Sequence, residues 1–204
     1  MLARHAKEVI GTCLEANTSV VVKLHACSYL NDQAFCGGVD WKAQMDEWAK
    51  AKGFLHLPHV NLTSLMLLAD VMVADFGSAP VEFCLVDRPL IFFAMPEQAE
   101  RNGGDRFQYQ ALCAAGQGVA TMDELRRRLD DVARGVDMGA PQRRAVRDEF
   151  FHAAGSATAN NLREMYELME LDVPQGLTDR YRETRRAAIL KDPAGFLSSL
   201  DSAK

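Results

Sequence analysis

The sequence lacks an excess of positive charge and an apolar run of membrane-spanning length, and its first residues do not have the pattern expected of a secretory signal. Its 23 Lys and Arg residues are outnumbered by 28 Asp and Glu, which leaves a formal net charge of −5. A general nucleic-acid binder needs a basic surface to neutralise phosphates, so we predict no nucleic-acid partner. The start, MLARHAKEVIGTCLEAN, is too polar for a signal peptide and has the period of an amphipathic helix. We therefore predict a cytoplasmic chain with no transmembrane segment.

The sequence also lacks the cysteine pairs that mark a disulfide framework or a zinc site. Its five cysteines are an odd number and include no Cys-x-x-Cys pair: Cys13, Cys27, Cys36, Cys84 and Cys113. This pattern predicts reduced thiols, most of them small core residues. His56 and His59 flank Pro58, but no third ligand stands out beside them. We therefore expect no metal and no cofactor, and those two histidines could instead lie near a nucleotide base.

What is present is a strand–turn–helix–strand pattern between Ala69 and Met95. An apolar run, residues 71–74, predicts a buried parallel strand. Ser78 is predicted to cap a helix over 79–86, with Pro80 in its first turn and Pro89 beyond its end. The apolar run over 90–94 is the next strand. A small turn at the carboxyl end of a parallel strand is a common ligand position in α/β proteins.

Strands predicted at 20–25, 54–57, 71–76, 90–94 and 118–120 alternate with helical segments. The alternation predicts an α/β fold, a Rossmann-like parallel sheet flanked by helices. We assign residues 1–171 to this domain and residues 172–204 to a C-terminal helical extension. A polar loop over 96–105 lies between the fourth strand and the next helix, where loops often carry function.

The turn after the third strand holds the first candidate ligand contacts. Gly77 permits an unusual backbone angle or the close approach of another group, and Ser78 adds a hydroxyl. Backbone N–H groups there could hold a diphosphate, although an ordinary capped turn has the same sequence. Glu82 follows one helical turn after Ser78 and could accept hydrogen bonds from ribose hydroxyls; a solvated helix carboxylate is the alternative. Asp75 is expected to orient the turn by capping backbone N–H groups.

The end of the first strand holds the second group of candidates. His25 could contact donor phosphates or act as an acid or base in phosphoryl transfer, because histidine is the side chain that ordinarily changes its charge near neutral pH. A hydrogen-bonded structural histidine is the alternative. Lys23 lies two residues earlier, so the alternation of a strand places both side chains on one side. Lys23 is then expected to help hold phosphate.

Three segments together resemble one family. VVVKLH (20–25), LLADVMVADFGSAPVEFCLVDRPLIFFA (67–94) and AAGQGVATMDEL (114–125) follow the order and spacing of the C-terminal half of the CDP-glycerol glycerophosphotransferases. These enzymes build teichoic-acid, capsule and related cell-envelope polysaccharides. The resemblance covers roughly residues 18–165.

Within the first two segments the match can be followed residue by residue. Lys23 and His25 match the family's Lys-x-His-Pro motif, in which Ala26 here replaces the proline. Asp75 matches the first residue of Asp-Tyr-Ser-Ser, and Ser78 matches its last. Two further positions of the motif differ, since Phe76 replaces its tyrosine and Gly77 its first serine.

In the remaining positions the resemblance is partial. Glu82 matches an acidic residue that follows five positions after the first serine of the family's motif. Gly116-Gln117-Gly118 stands where the family has Pro-Gly-Pro.

The resemblance implies the donor-binding half of a two-domain GT-B fold, which would move glycerol phosphate from CDP-glycerol to a polymer or glycan hydroxyl and release CMP. The same pattern also serves nucleotide-sugar glycosyltransferases. A non-catalytic domain that binds a nucleotide or a protein is a further alternative. Only the second half of the family's fold matches this chain. We therefore expect that the chain is a fragment, that it works with an N-terminal acceptor domain in another chain or as a homodimer, or that it has lost catalysis. The family also implies work at the inner face of the cell membrane.

Overall fold

The structure is a computed structural model that describes residues 2–30, 32–94, 100, 106–151 and 156–173. Helices and short strands alternate along it, as the sequence predicts. The helices are α1 (Leu2–Glu15), α2 (Gln33–Cys36), α3 (Trp41–Lys52), α4 (Leu62–Leu68), α5 (Ser78–Phe83), α6 (Arg106–Ala115), α7 (Met122–Ala133), α8 (Ala140–Phe150) and α9 (Ala157–Leu168). A 3-10 helix covers Ala26–Tyr29. The predicted loop over 96–105 lies outside the described residues, apart from Glu100.

The strands are parallel but shorter than predicted. They are β1 (Val21–Val22), β2 (Leu55–His56), β3 (Met72–Ala74) and β4 (Leu90–Phe92). β1 pairs with β2, and β3 pairs with β4, so the described strands form two two-stranded parallel sheets. The predicted fifth strand is a single parallel bridge from Phe93 to Val119. The α/β, Rossmann-like class is confirmed, with small sheets.

Two apolar clusters hold α1 against the strands. In the first, Val9 and Cys13 of α1 pack with Ile91 of β4 and Leu125 of α7. In the second, the neighbouring face of α1 packs with Trp41 and Met45 of α3, among others. Val20, just before β1, packs against both clusters. Apolar side chains at helical spacing on α1 are therefore buried by both strand pairs.

The far side of β4 is covered as well. Phe83 of α5, Phe92 of β4 and Leu112 of α6 all have 0% of their surface exposed. Gly116, directly after α6, lies against β4: a Cβ at this position would be 2.5 Å from the Cβ of Phe92. The close approach of α6 to β4 therefore requires glycine at this position.

The chain divides into two compact units, residues 1–146 and residues 147–204. All candidate site residues lie in the first unit. In the second unit α9 is amphipathic in sequence, and none of its residues is buried. The boundary predicted at residue 171 stays a prediction, because only residues 172 and 173 of the proposed extension are described.

The helix after β3 differs from its prediction in two respects. It begins at Ser78, with Gly77 in the N-cap position and no side-chain capping bond, so the prediction that Ser78 caps it is wrong. It ends at Phe83, three residues early, and continues as turns to Asp87, whose φ is 53°. Hydrogen bonds between residues three positions apart, such as that from Val86 N–H to Phe83 O, tighten these turns.

Candidate functional site

The turn between β3 and α5 is open to a ligand at Gly77. Its φ of 167° and ψ of −174° are extended backbone that any residue can adopt. An unusual backbone angle is therefore not why glycine stands here. Apart from the chain neighbours of Gly77, no described residue has an atom within 4 Å of the position that a Cβ would occupy, so the described residues leave room there for another group.

The first turn of α5 has backbone donors that find no partner among the described residues. No side chain caps Gly77, and no hydrogen bond from the N–H groups of Gly77, Ser78 or Ala79 is found within the described ranges. Pro80 has no N–H, so it removes the fourth donor that the start of a helix normally leaves free. The Ser78 side chain is exposed beside these groups. Three N–H groups and one hydroxyl can therefore meet an anion here.

Glu82 lies on the same helix in an apolar setting. It is half-buried, and its neighbours Val81 and Phe83 are 7% and 0% exposed. No hydrogen bond or ion pair to its carboxylate is found in the part of the chain that the structure describes. A carboxylate in this position can accept two hydrogen bonds from a diol such as a ribose.

Asp75 directly follows β3 and is half-buried. Its predicted role in orienting the turn stays a prediction. Phe76, which stands where the resembling family has tyrosine, has its ring centroid 6.3 Å from that of Tyr109 on α6.

Lys23 joins the ends of the first strand pair. Its Nζ donates a hydrogen bond to the backbone oxygen of Pro58 at 2.8 Å. Burial lowers the pKa of this ammonium. The side chain thus fastens the segment after β1 to the segment after β2, and its charge lies close to the end of β1.

His25 precedes the 3-10 helix and is exposed. Its Nδ1 accepts a hydrogen bond from the backbone N–H of Cys27 at 3.2 Å, and this bond caps the 3-10 helix. A backbone amide can only donate, so Nδ1 of the neutral ring carries no proton and Nε2 carries it. Nε2, the other ring nitrogen of neutral His25, is thus a hydrogen-bond donor.

The structure places the candidates in two groups, Lys23 and His25 after β1, and Asp75 to Glu82 after β3. No hydrogen bond or ion pair joins Lys23 or His25 to Ser78 or Glu82 among the described residues. Each group lies at the end of a parallel strand, as the sequence predicts. The assignment of a ligand to both groups remains a proposal.

His56 is not open to a ligand, since 1% of its side chain is exposed. Its Nδ1 lies 2.7 Å from Oδ1 of Asp46 and its Nε2 lies 3.0 Å from the hydroxyl of Tyr29. The suggestion that this histidine contacts a nucleotide base is therefore not supported, whereas His59 is exposed. Sequence reasoning missed Asp46 and Tyr29, which are ordinary helix and turn residues in the sequence.

Sequence reasoning also missed a buried arginine behind α5. Arg143 of α8 is 0% exposed, and its Nη1 donates to Oδ1 of Asp137 at 2.7 Å. Its Nη2 lies 3.5 Å from Oδ1 of Asp87, in the turn that follows α5, and Arg144 also bonds to Asp87. These bonds fix the C-terminal end of the segment that carries Ser78 and Glu82.

A cleft of about 420 Å³ lies elsewhere, along α7. Arg127, Arg128 and Arg134 line it together with acidic residues of the same helix, and none of the candidate site residues does. Arg128 and Arg134 both pair with Asp131. Its charges therefore largely compensate one another.

Neither a metal cluster nor a membrane-spanning helix occurs in the described part of the chain. Those residues contain no group of three or more His, Cys, Asp or Glu side chains placed to hold a metal ion. Among their helices none is both long enough and apolar enough to cross a membrane.

Comparison with known proteins identifies the family. No curated protein and no solved structure shows significant similarity to the chain. The profile of the family described as CDP-glycerol:poly(glycerophosphate) glycerophosphotransferase matches residues 4–166, which include both groups of candidate residues. The chain therefore belongs to the CDP-glycerol:poly(glycerophosphate) glycerophosphotransferase family, a family of transferases.

Proposed function

We propose that this chain binds a nucleotide-diphosphate donor and takes part in moving glycerol phosphate from CDP-glycerol to a hydroxyl of a cell-envelope polymer or glycan. The observation that carries the proposal is the family match across residues 4–166. The turn after β3 supports it, because that turn offers an anion N–H groups and a hydroxyl that make no hydrogen bond to the described residues.

In this proposal the donor lies along α5. The diphosphate accepts hydrogen bonds from the N–H groups of Gly77 and Ser78 and from the Ser78 hydroxyl. Glu82, one helical turn further on, accepts hydrogen bonds from the ribose hydroxyls. A half-buried acceptor without a partner among the described residues favours a ligand that brings its own donors, and a ribose does so.

His25 then donates a hydrogen bond through Nε2–H while its ring is neutral, and it can donate a proton only when the ring is protonated. The amide of Cys27 occupies Nδ1, so the neutral ring presents Nε2–H outward. A phosphate oxygen, or the phosphate of departing CMP, can accept from it. Removal of a proton from the acceptor hydroxyl by Nε2 would require the other tautomer and the loss of the Cys27 bond. Lys23 adds positive charge nearby.

The proposal is tested by calorimetric titration of the purified chain with CDP-glycerol, CMP, UDP-sugars and GDP-sugars. We expect cytidine ligands to bind selectively. Ser78→Ala and Glu82→Gln should each weaken CDP-glycerol binding about tenfold or more, since a hydrogen bond to a charged group is worth about 1.5–3 kcal/mol.

Two matched variants serve as controls. Ser19→Ala and Glu47→Gln make the same chemical changes outside the proposed site, and they should bind like the unchanged chain. Preference for a UDP- or GDP-sugar would replace the proposal with a nucleotide-sugar glycosyltransferase. Absence of nucleotide binding by the folded chain would overturn donor binding by this chain alone and favour a non-catalytic domain.

A further inference from the structure

The phenol of Tyr29 connects the residue before His25 to the neighbouring strand. The backbone N–H of Leu24 donates to the Tyr29 oxygen at 3.2 Å, and that oxygen lies 3.0 Å from Nε2 of His56. On its other side His56 contacts Asp46 of α3. Three side chains thus link the segment after β1, the end of β2 and α3.

The chemistry of these groups gives each bond a direction while the His56 ring is neutral. Hydrogen bonds from His56 and Lys42 hold the pKa of Asp46 below its ordinary value, so Asp46 is a carboxylate and can only accept. Nδ1 of His56 must therefore carry the proton. In the neutral ring Nε2 then accepts from the Tyr29 hydroxyl, which burial keeps protonated by raising its pKa. The Tyr29 oxygen in turn accepts from Leu24.

His25 lies between the two points that Tyr29 holds. Leu24 precedes it, and Tyr29 itself ends the 3-10 helix whose Cys27 N–H bonds to the His25 ring. Lys23 fastens the same segment to Pro58 from the other side. The backbone on either side of His25 is thus tied to the second strand, which restricts the ring of an otherwise exposed residue.

We propose that Tyr29, His56 and Asp46 are positioning residues for His25. They hold Nδ1 of His25 against the Cys27 amide and so direct its Nε2–H outward. The inference rests on the proposed function, because the use of this arrangement is to present Nε2–H to a donor phosphate. The arrangement itself exists without ligand and can be measured without one.

The test is a long-range ¹H–¹⁵N spectrum of the histidines in the full chain, recorded without ligand at about pH 8, where ordinary histidine is neutral. A His25→Gln variant assigns the His25 signals. We expect His25 to have the Nε2–H tautomer in the unchanged chain. Tyr29→Phe should shift it to a mixture of tautomers and move the Cys27 amide signal. Tyr166→Phe, on α9, is the matched control and should leave His25 unchanged.

A folded Tyr29→Phe chain with the original His25 spectrum would overturn the inference. If that variant does not fold, Asp46→Ala gives the same readout, because 39% of the Asp46 side chain is exposed and its removal takes away the bond that orients His56 toward Tyr29. An unchanged His25 spectrum in folded Asp46→Ala would then overturn it.

Binding of CDP-glycerol separates this inference from the proposed function. If both hold, Tyr29→Phe should weaken CDP-glycerol binding about tenfold, the effect of one misplaced hydrogen bond. If the unchanged chain binds no nucleotide while the spectra change as expected, donor binding fails and the positioning of His25 stands.

Discussion

At the scale of single residues, Arg143 is the buried charge on which the segment after α5 depends. Its side chain is 1% exposed, and it pairs with Asp137 and Asp87. Removing one partner of a buried ion pair leaves the other charges without compensation. We expect Arg143→Ala to lower the free energy of unfolding by about 3–5 kcal/mol in urea titrations.

Arg144 supplies the matched comparison. It also pairs with Asp87, but 59% of its side chain is exposed, so solvent screens the pair. Arg144→Ala should cost at most about 1 kcal/mol. Equal losses in the two variants would show that burial of Arg143 does not determine its contribution.

Asp137 makes the stability of this cluster depend on pH. The Arg143 hydrogen bond is the largest cause that lowers the pKa of Asp137 from 3.8. A carboxyl group whose folded pKa is lowered contributes stability above its unfolded pKa, and this contribution disappears as the pH falls through the folded value. Between about pH 6 and about pH 2 the unfolding free energy should therefore decrease less in Asp137→Asn than in the unchanged chain.

The measurement is urea unfolding at several pH values across that range. Asp123→Asn is the control, since 89% of that side chain is exposed, and it should retain the full decrease. A decrease of the same size in Asp137→Asn would assign the acid sensitivity to other carboxyl groups.

At the scale of elements, the contact between α6 and β4 depends on one missing side chain. A Cβ at Gly116 would lie 2.5 Å from Phe92 Cβ and 2.8 Å from Phe92 N, and backbone cannot move aside cheaply. Gly116→Ala should cost about 1–3 kcal/mol in the free energy of unfolding. Gly11→Ala in α1, where a Cβ would meet no atom of the other described residues within 4 Å beyond its own stretch of helix, should instead stabilise by about 0.5–1 kcal/mol. A neutral Gly116→Ala would contradict the close packing.

Some helix ends depend on signals that are local in the sequence. Three of them in the structure are the Thr121–Glu124 capping box of α7, the Asn61 cap of α4 and the left-handed Gly53 after α3. Each depends on residues within four positions, so the sequence contains the complete signal. The prediction that Ser78 caps α5 is wrong, because serine occurs both at the N-cap and in the first turn of helices, and here Gly77 is the N-cap.

What the sequence did not reveal depends on distant contacts. Tyr29 and His56 are 27 positions apart, and Arg143 and Asp87 are 56 apart. A histidine at the end of a strand has the same local pattern whether it is buried, like His56, or exposed, like His25. Only the packing of α3 on β2 separates the two.

At the scale of the whole molecule, binding of a donor must appear as increased stability of the unit that contains the site. All the proposed contacts lie in residues 1–146, one of the two compact units. A ligand that binds only the folded unit stabilises it by about 2.7 kcal/mol at one hundred times its Kd. For a chain of this size that corresponds to a rise in Tm of about 5–11 °C.

We therefore expect saturating CDP-glycerol to raise the Tm by several degrees, and CMP, which lacks the second phosphate, to raise it less at equal concentration. The Ser78→Ala, Glu82→Gln double variant should lose most of the rise, because it lacks contacts to both phosphate and ribose. The Ser19→Ala, Glu47→Gln double variant should retain it. Equal rises in the first double variant and the unchanged chain would mean that the nucleotide binds away from α5, even where calorimetry shows tight binding.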